Sequence, residues 1–234
     1  MRVLGIIPAR GGSKGVPGKN IKKLNGIPLI KYTLNSALEC THLTKLIVST
    51  DSEAIAEVCT KMGVDLPFLR PAYLSGDRIK SVSVVQHAIK YLSEIGENYD
   101  AICLLQPTYP FRRRGLIDDC IKVFSEQDFD CLVTVLKLPH QYHPAWVLVE
   151  NYANILPALG WRKFALRRQD LHNAYYRDGA VYVSKVTGII KNKRLVFGSV
   201  GKIINESKYY TNIDSETDWI IAEKMALSWS ADNG

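Results

Sequence analysis

Between Ala9 and Asn20 the chain packs three cations, one hydroxyl and four glycines into a dozen positions. Glycine lets a backbone turn sharply and bring its N–H groups close to a ligand. Arg10, Lys14 and Lys19 can neutralise a polyphosphate that those N–H groups cradle, with Ser13 and the Gly11 and Gly12 amides in support. Because the loop directly follows the apolar run Val3–Ile7, it reads as a triphosphate site beyond the end of a first strand. Arg10 and Lys19 are the first choices for catalytic contact with the triphosphate. A plain surface loop with solvated cations is the competing reading.

Two familiar phosphate loops do not fit. A Walker A loop needs G-x-x-x-x-G-K-[ST], yet Ser13 stands five before Gly18, and Asn20 supplies no hydroxyl after Lys19. The dinucleotide spacing G-x-G-x-x-G fails because Gly11 and Gly12 are adjacent. Elsewhere, His140 and His143 lie three apart without the third or fourth ligand that zinc requires. No Ser/His/Asp nucleophile arrangement emerges, and Lys22, Lys23, Lys191 and Lys193 read as solvated faces.

Further segments join the first in order: Val48–Asp51, Arg70-Pro71-Ala72 with Leu74 and Asp77, and Leu104–Thr108 with Pro110 and Arg112. Arg168-Gln169, Gly179–Tyr182 and Asn212–Glu216 with Asp218 complete the set. Together they resemble the sugar-activating nucleotidyltransferases, specifically the cytidylyltransferases of nine-carbon sialic-type acids, over nearly the whole chain.

The resemblance implies attack by the anomeric hydroxyl of an acidic sugar on the α-phosphorus of CTP, releasing pyrophosphate. It places Arg10, Asn20, Ser81 and Gln106 around the nucleotide. For Gln106, a polar residue simply closing its strand is the alternative. Magnesium is expected on an Asp-x-Asp pair, which here is Asn212 and Asp214, so one carboxylate has become an amide and Asp214 carries the metal expectation. Asp218 suits helix capping at least as well as metal binding. On the acceptor side stand Arg168 with Gln169, Arg177, Asp178 and Gly179, with Gln106 shared; an arginine fork pairs bidentately with a sugar carboxylate. Asp178 replaces a usual Asn, and Trp146 stands where a Lys can occur, which suggests a sialic-acid relative such as a legionaminic-like or pseudaminic-like acid. A cytidylyltransferase for 3-deoxy-octulosonate and a catalytically inactive nucleotide binder are the rivals.

These groups need a scaffold. Strand-like runs at Val3–Ile7, Leu46–Val48, Ala101–Leu105 and Cys131–Val135 alternate with helical patterns at Leu29–Leu38, Ser52–Met62, Ser83–Ile95 and Gly115–Phe124. That alternation predicts an α/β fold, a Rossmann-like, mostly parallel sheet with helices on both faces and ligands beyond the strands' carboxyl ends. Gly179–Val183 returns to the sheet, and Ser215–Ser228 forms a terminal helix with Ser215 and Asp218 spaced as a capping box. From about 139 to 176 the rhythm breaks. By resemblance this insertion is a dimerisation arm of a homodimer, with Trp146, Val147, Leu148 and Trp161 as apolar surface; a loop folded back on its own domain is the alternative.

At 234 residues, 47% hydrophobic and 23% charged, the chain fits one soluble domain spanning 1–234. The net charge of +7 suits an anionic ligand. Without basic blocks interleaved with aromatics, nucleic acid is not expected as a partner. Five scattered cysteines with no C-x-x-C indicate neither zinc nor a disulfide framework. No apolar run approaches a membrane span or a signal segment, so a cytoplasmic enzyme without a membrane partner is expected.

Overall fold

The computed structural model describes residues 1–206 and 208–233; Ser207 and Gly234, within the expected 1–234 domain, lie outside the described residues. Strand β1 (Val3–Pro8) is buried over nearly its full length, and its side chains feed two cores. Val3 and Ile7 join one cluster, Leu4 and Ile6 the other. Period-two alternation between two apolar faces is what a strand covered by helices on both sides requires.

The chain continues through a short hairpin, β2 (Lys23–Leu24) and β3 (Ile27–Pro28), into α1 (Leu29–Leu38), β4 (Lys45–Ser49), α2 (Glu53–Thr60) and α3 (Ser81–Glu94). Then come β5 (Ala101–Leu104), α4 (Leu116–Glu126), β6 (Cys131–Lys137), a second hairpin of β7 (Leu148–Asn151) and β8 (Asn154–Pro157), and β9 (Tyr175–Lys185). Helix α5 (Val186–Asn192), β10 (Val200–Ile204) and α6 (Glu216–Asn233) complete it. Helices α1, α2 and α4 cover one face of the sheet, α3 and α5 the other. A third cluster seats α6, through Trp219, Ala222 and Ala226, on Leu24, Leu29 and Ile213. Among the described residues no helix is long and apolar enough to cross a membrane.

The main sheet has strand order β10-β6-β9-β5-β1-β4. It is mostly parallel, as expected, but β9 runs antiparallel to both β5 and β6. The β6–β9 register also slips between Val133 and Val135. The slip would orphan amides in β9, and local side chains satisfy them. The Val181 amide donates to the Thr134 hydroxyl at 2.9 Å, and the Ala180 amide to Asp178 Oδ1 at 2.9 Å.

The arm expected over 139–176 leaves the sheet after β6 and returns at β9. Strands β7 and β8 pair only with each other, and Leu148, Val149, Tyr152 and Ile155 are exposed. Trp161 is exposed as well, whereas Trp146 and Val147 are half-buried. The Trp146 indole donates to the Ala165 carbonyl at 2.7 Å, so it braces the arm from within.

Candidate active site

Beyond the carboxyl ends of β1 and β5 lies a cleft of about 310 Å³. Strand β1 delivers Arg10, Lys19 and Asn20; β5 delivers Gln106; α3 opens on Ser81; the segment before α6 brings Asn212 and Asp214. All seven were singled out from sequence, and the fold brings them to one lining. Lys14 sits at the rim with an exposed side chain.

Close packing, more than hydrogen bonding, sets the loop's course. A Cβ built on Gly15 would lie 1.8 Å from the Asp214 backbone oxygen, so only glycine lets the loop approach the segment at Asp214 so nearly. The buried Asn20 amide donates to the Arg10 carbonyl at 2.9 Å and closes the loop from below. In this position its side chain acts on the loop. The Gly11 amide, expected to face phosphate, donates instead to Asp51 Oδ1 at 2.8 Å.

The cleft's charges are matched within the protein. Lys19 Nζ donates to the Ile213 carbonyl at 2.6 Å and to Asp214 Oδ1 at 3.1 Å. Asn212 Nδ2 donates to Asp214 Oδ2 at 2.6 Å. Arg10 and Lys14 both pair with Asp77. Arg70, on the cleft wall, is buried and donates to the Ser49 hydroxyl and carbonyl. Burial pulls its guanidinium down to about 10, still charged at neutral pH, with Asp51 opposing that pull.

Gln106 is fixed by an interior arginine. Arg112 is 2% exposed and donates to the carbonyls of Gln106, Tyr109 and Ala180 and to the Thr33 hydroxyl. Gly179, with φ of +87°, lies against this group: a Cβ there would sit 3.1 Å from Gln106 Oε1. The Ser215–Asp218 capping box forms reciprocally, with Asp218 Oδ2 accepting from the Ser215 amide at 2.8 Å and the Asp218 amide donating to Ser215 Oγ at 3.2 Å. Burial alone would raise the Asp218 carboxyl, but these bonds more than offset it and hold it below the ordinary range.

On the acceptor side Asp178 is not among the residues lining the cleft. Asp178 is 2% exposed and faces the interior, where Thr134, the Ala180 amide and Asn205 occupy its oxygens. Its carboxylate braces the β9 slip. Arg168 and Gln169 lie exposed in the arm, and Arg168 lines a separate hollow with Lys137, His140 and His172. Within one chain they are not brought to the triphosphate cleft. Arg177 is exposed, its guanidinium carbon 5.9 Å from the Tyr182 ring. Sequence reasoning gave no role to Arg70 or Asp77. Their signal was a cation and a carboxylate placed between a strand end and the helix that opens on Ser81.

Fold and site together define an α/β protein with a cation-lined cleft beyond the carboxyl ends of its parallel strands. Residues 4–197 match the family model described as Cytidylyltransferase. The chain is 36% identical over 182 residues to a pseudaminic acid cytidylyltransferase of Campylobacter jejuni, covering 78% of each chain. It is 30% identical over 227 residues to the CMP-N,N'-diacetyllegionaminic acid synthase of Legionella pneumophila, covering 96% of each. A CMP:2-keto-3-deoxy-manno-octonic acid synthetase solved with CTP superposes with a TM-score of 0.70 at 13% identity, covering 99% of this chain and 100% of that one. The chain belongs to the cytidylyltransferase family. It is a nucleotidyltransferase.

Proposed function

We propose that the protein transfers CMP from CTP to the anomeric hydroxyl of a nine-carbon acidic sugar and releases pyrophosphate. The observation that carries this is the convergence of Arg10, Lys14 and Lys19 from one loop on a cleft also lined by Asp214. Relatives matched over most of their length bear the names of enzymes for pseudaminic and legionaminic acids, which supports a nine-carbon acceptor. The eight-carbon alternative has only a likeness of fold behind it.

Arg10 and Lys19 bind and orient the triphosphate so that the bond between the sugar oxygen and the α-phosphorus can form as the bridging bond to the leaving group breaks. Pyrophosphate departs with the electron pair, and the proton of the attacking hydroxyl is lost to solvent. Alignment and charge neutralisation supply most of such catalysis, since little covalent work falls to the protein. Gln106 and Ser81 line the nucleotide side, Arg70 adds a buried charge, and Asn20 keeps the loop shaped.

The oxygen donors of Asp214 and Asn212 fit magnesium, a hard cation that keeps several waters and takes phosphate oxygens besides one or two carboxylates. Asp214 is 64% exposed, although Lys19 and Asn212 now hold its oxygens. When bound there, magnesium neutralises charge developing on the pyrophosphate. Asp214→Ala is expected to abolish turnover or its magnesium dependence, and Asn212→Asp to lower the magnesium concentration giving half-maximal rate. An unchanged magnesium titration in Asp214→Ala would refute its role. A homodimer joined through the arm is part of this proposal, supported by the exposed apolar residues of β7 and β8.

Pyrophosphate release measured with CTP, ATP, UTP and GTP against a panel of nine-carbon acidic sugars and 3-deoxy-octulosonate tests the reading. The expected result is turnover with CTP and at least one nine-carbon acid. Tight CTP binding with no turnover on any acid would mark a binding protein, and a rate confined to the eight-carbon acid would reassign the acceptor.

A further inference from the structure

Two of the three phosphate-loop cations meet one carboxylate that arrives from elsewhere in the chain. Asp77 stands in the turn between the short helix Ala72–Leu74 and α3, on the cleft wall. Its Oδ1 lies 2.6 Å from Arg10 Nη1, and its Oδ2 lies 2.8 Å from Lys14 Nζ. Arg10 Nη1 also reaches the Ser75 carbonyl of the same turn at 3.4 Å. One carboxylate thus offers one oxygen to each cation, as a phosphoryl group bridging the two would. Lys19 stands apart on Asp214.

We propose that Asp77 is an internal anion that holds Arg10 and Lys14 in the empty cleft and surrenders them to the incoming triphosphate. The proposal rests on the CTP reading above. The physical need is clear, since Arg10, Lys19 and Arg70 share one cleft and would repel one another without matched carboxylates. The pairs also suit exchange. Side-chain exposures of 30% for Arg10, 37% for Asp77 and 85% for Lys14 leave them open to solvent, and ion pairs of that kind are weak. Hydrogen bonds from Lys14 and Arg10 keep the Asp77 carboxyl below its ordinary range, so it is charged wherever the enzyme would meet its substrate. An uncharged nucleoside cannot replace it, and a polyphosphate can. Once pyrophosphate leaves, the same carboxylate restores the pair and opposes rebinding of the product.

Calorimetric titration at low ionic strength tests this with wild type, Asp77→Asn, Asp77→Ser and Asp77→Glu. The ligands are CTP, inorganic tripolyphosphate and cytidine. Asp77→Asn and Asp77→Ser are expected to bind CTP and tripolyphosphate roughly fivefold to tenfold more tightly, an advantage that shrinks as salt is added. Cytidine binding should not change, and Asp77→Glu should return to wild-type affinity. Unchanged or weaker polyphosphate binding in both neutral variants would overturn the proposal, leaving Asp77 a residue that only orders Arg10. An equal gain for cytidine would overturn it too. If wild type ignored CTP while tripolyphosphate still showed the gain, the nucleotide reading would fall and the internal anion would stand.

Discussion

Replacing Lys19 with alanine is expected to lower kcat for pyrophosphate release by about 10²–10³-fold, the loss found when one donor to a developing oxyanion is removed, about 2.7–4 kcal/mol. Lys19 combines charge with fixed position. Its side chain is only 12% exposed, and two acceptors, the Ile213 carbonyl and Asp214, aim the ammonium into the cleft. Truncation leaves a largely exposed carboxylate and no buried orphan charge, so the fold should survive. Steady-state kinetics paired with a thermal melt checks both halves. A wild-type rate in Lys19→Ala would take the lysine out of the mechanism, and one in Arg10→Ala as well would remove the loop, whereas a collapsed melt would make the lysine structural.

Gly15→Ala should inactivate the enzyme nearly as strongly, though it removes no functional group. The new methyl would meet a backbone oxygen of Asp214, which cannot swing aside as a side-chain end would. Either the loop lifts or the segment at Asp214 retreats. A displacement near 1 Å at a reacting centre can cost about 10²-fold in rate. Overpacking of this type destabilises by about 1–3 kcal/mol, so a folded but slow enzyme is expected. Near-normal turnover in Gly15→Ala would show that the contact between the loop and Asp214 is not needed for catalysis.

Where hydrophobic period decided an element, the sequence was readable. Helix α1 spans Leu29–Leu38, as its apolar spacing predicts. Helix α2 begins after Ser52, whose hydroxyl accepts from the Ile55 amide as a cap should. The reversal of β9 was hidden, because a strand buried on both faces shows the same apolar run in either direction. The edge strand β10 was missed for the opposite reason: Val200, Lys202 and Ile204 are exposed, so it never looks like a core run. The β2–β3 hairpin did carry a signal. Asn25-Gly26, both with positive φ, is a favoured two-residue turn.

The site divides along similar lines. Arg10, Lys19, Gln106 and Asp214 could be read because loop chemistry and motif order name them directly. The surroundings of Asp178 were not legible, since a carboxylate beside Gly-Ala looks the same whether it faces a ligand or repairs a slipped ladder. Only the buried Thr134 and Asn205 partners distinguish these, and both lie far away in sequence. Arg112 likewise shows only part of its work locally: it gathers the nearby Gln106 and Tyr109 carbonyls, but its other acceptors, Ala180 and Thr33, lie in distant segments.

The join between arm and sheet has a consequence for how such enzymes can diversify. Leu136 lies opposite Tyr176 and Lys137 opposite Tyr175, so the excursion departs and re-enters through neighbouring rungs of one ladder. Its footing is shut like the neck of a drawstring bag. Whatever hangs beyond can lengthen, shrink or change its outer surface while the rungs below keep their register, so contacts to other molecules can be rewritten without disturbing the cleft beyond β1 and β5.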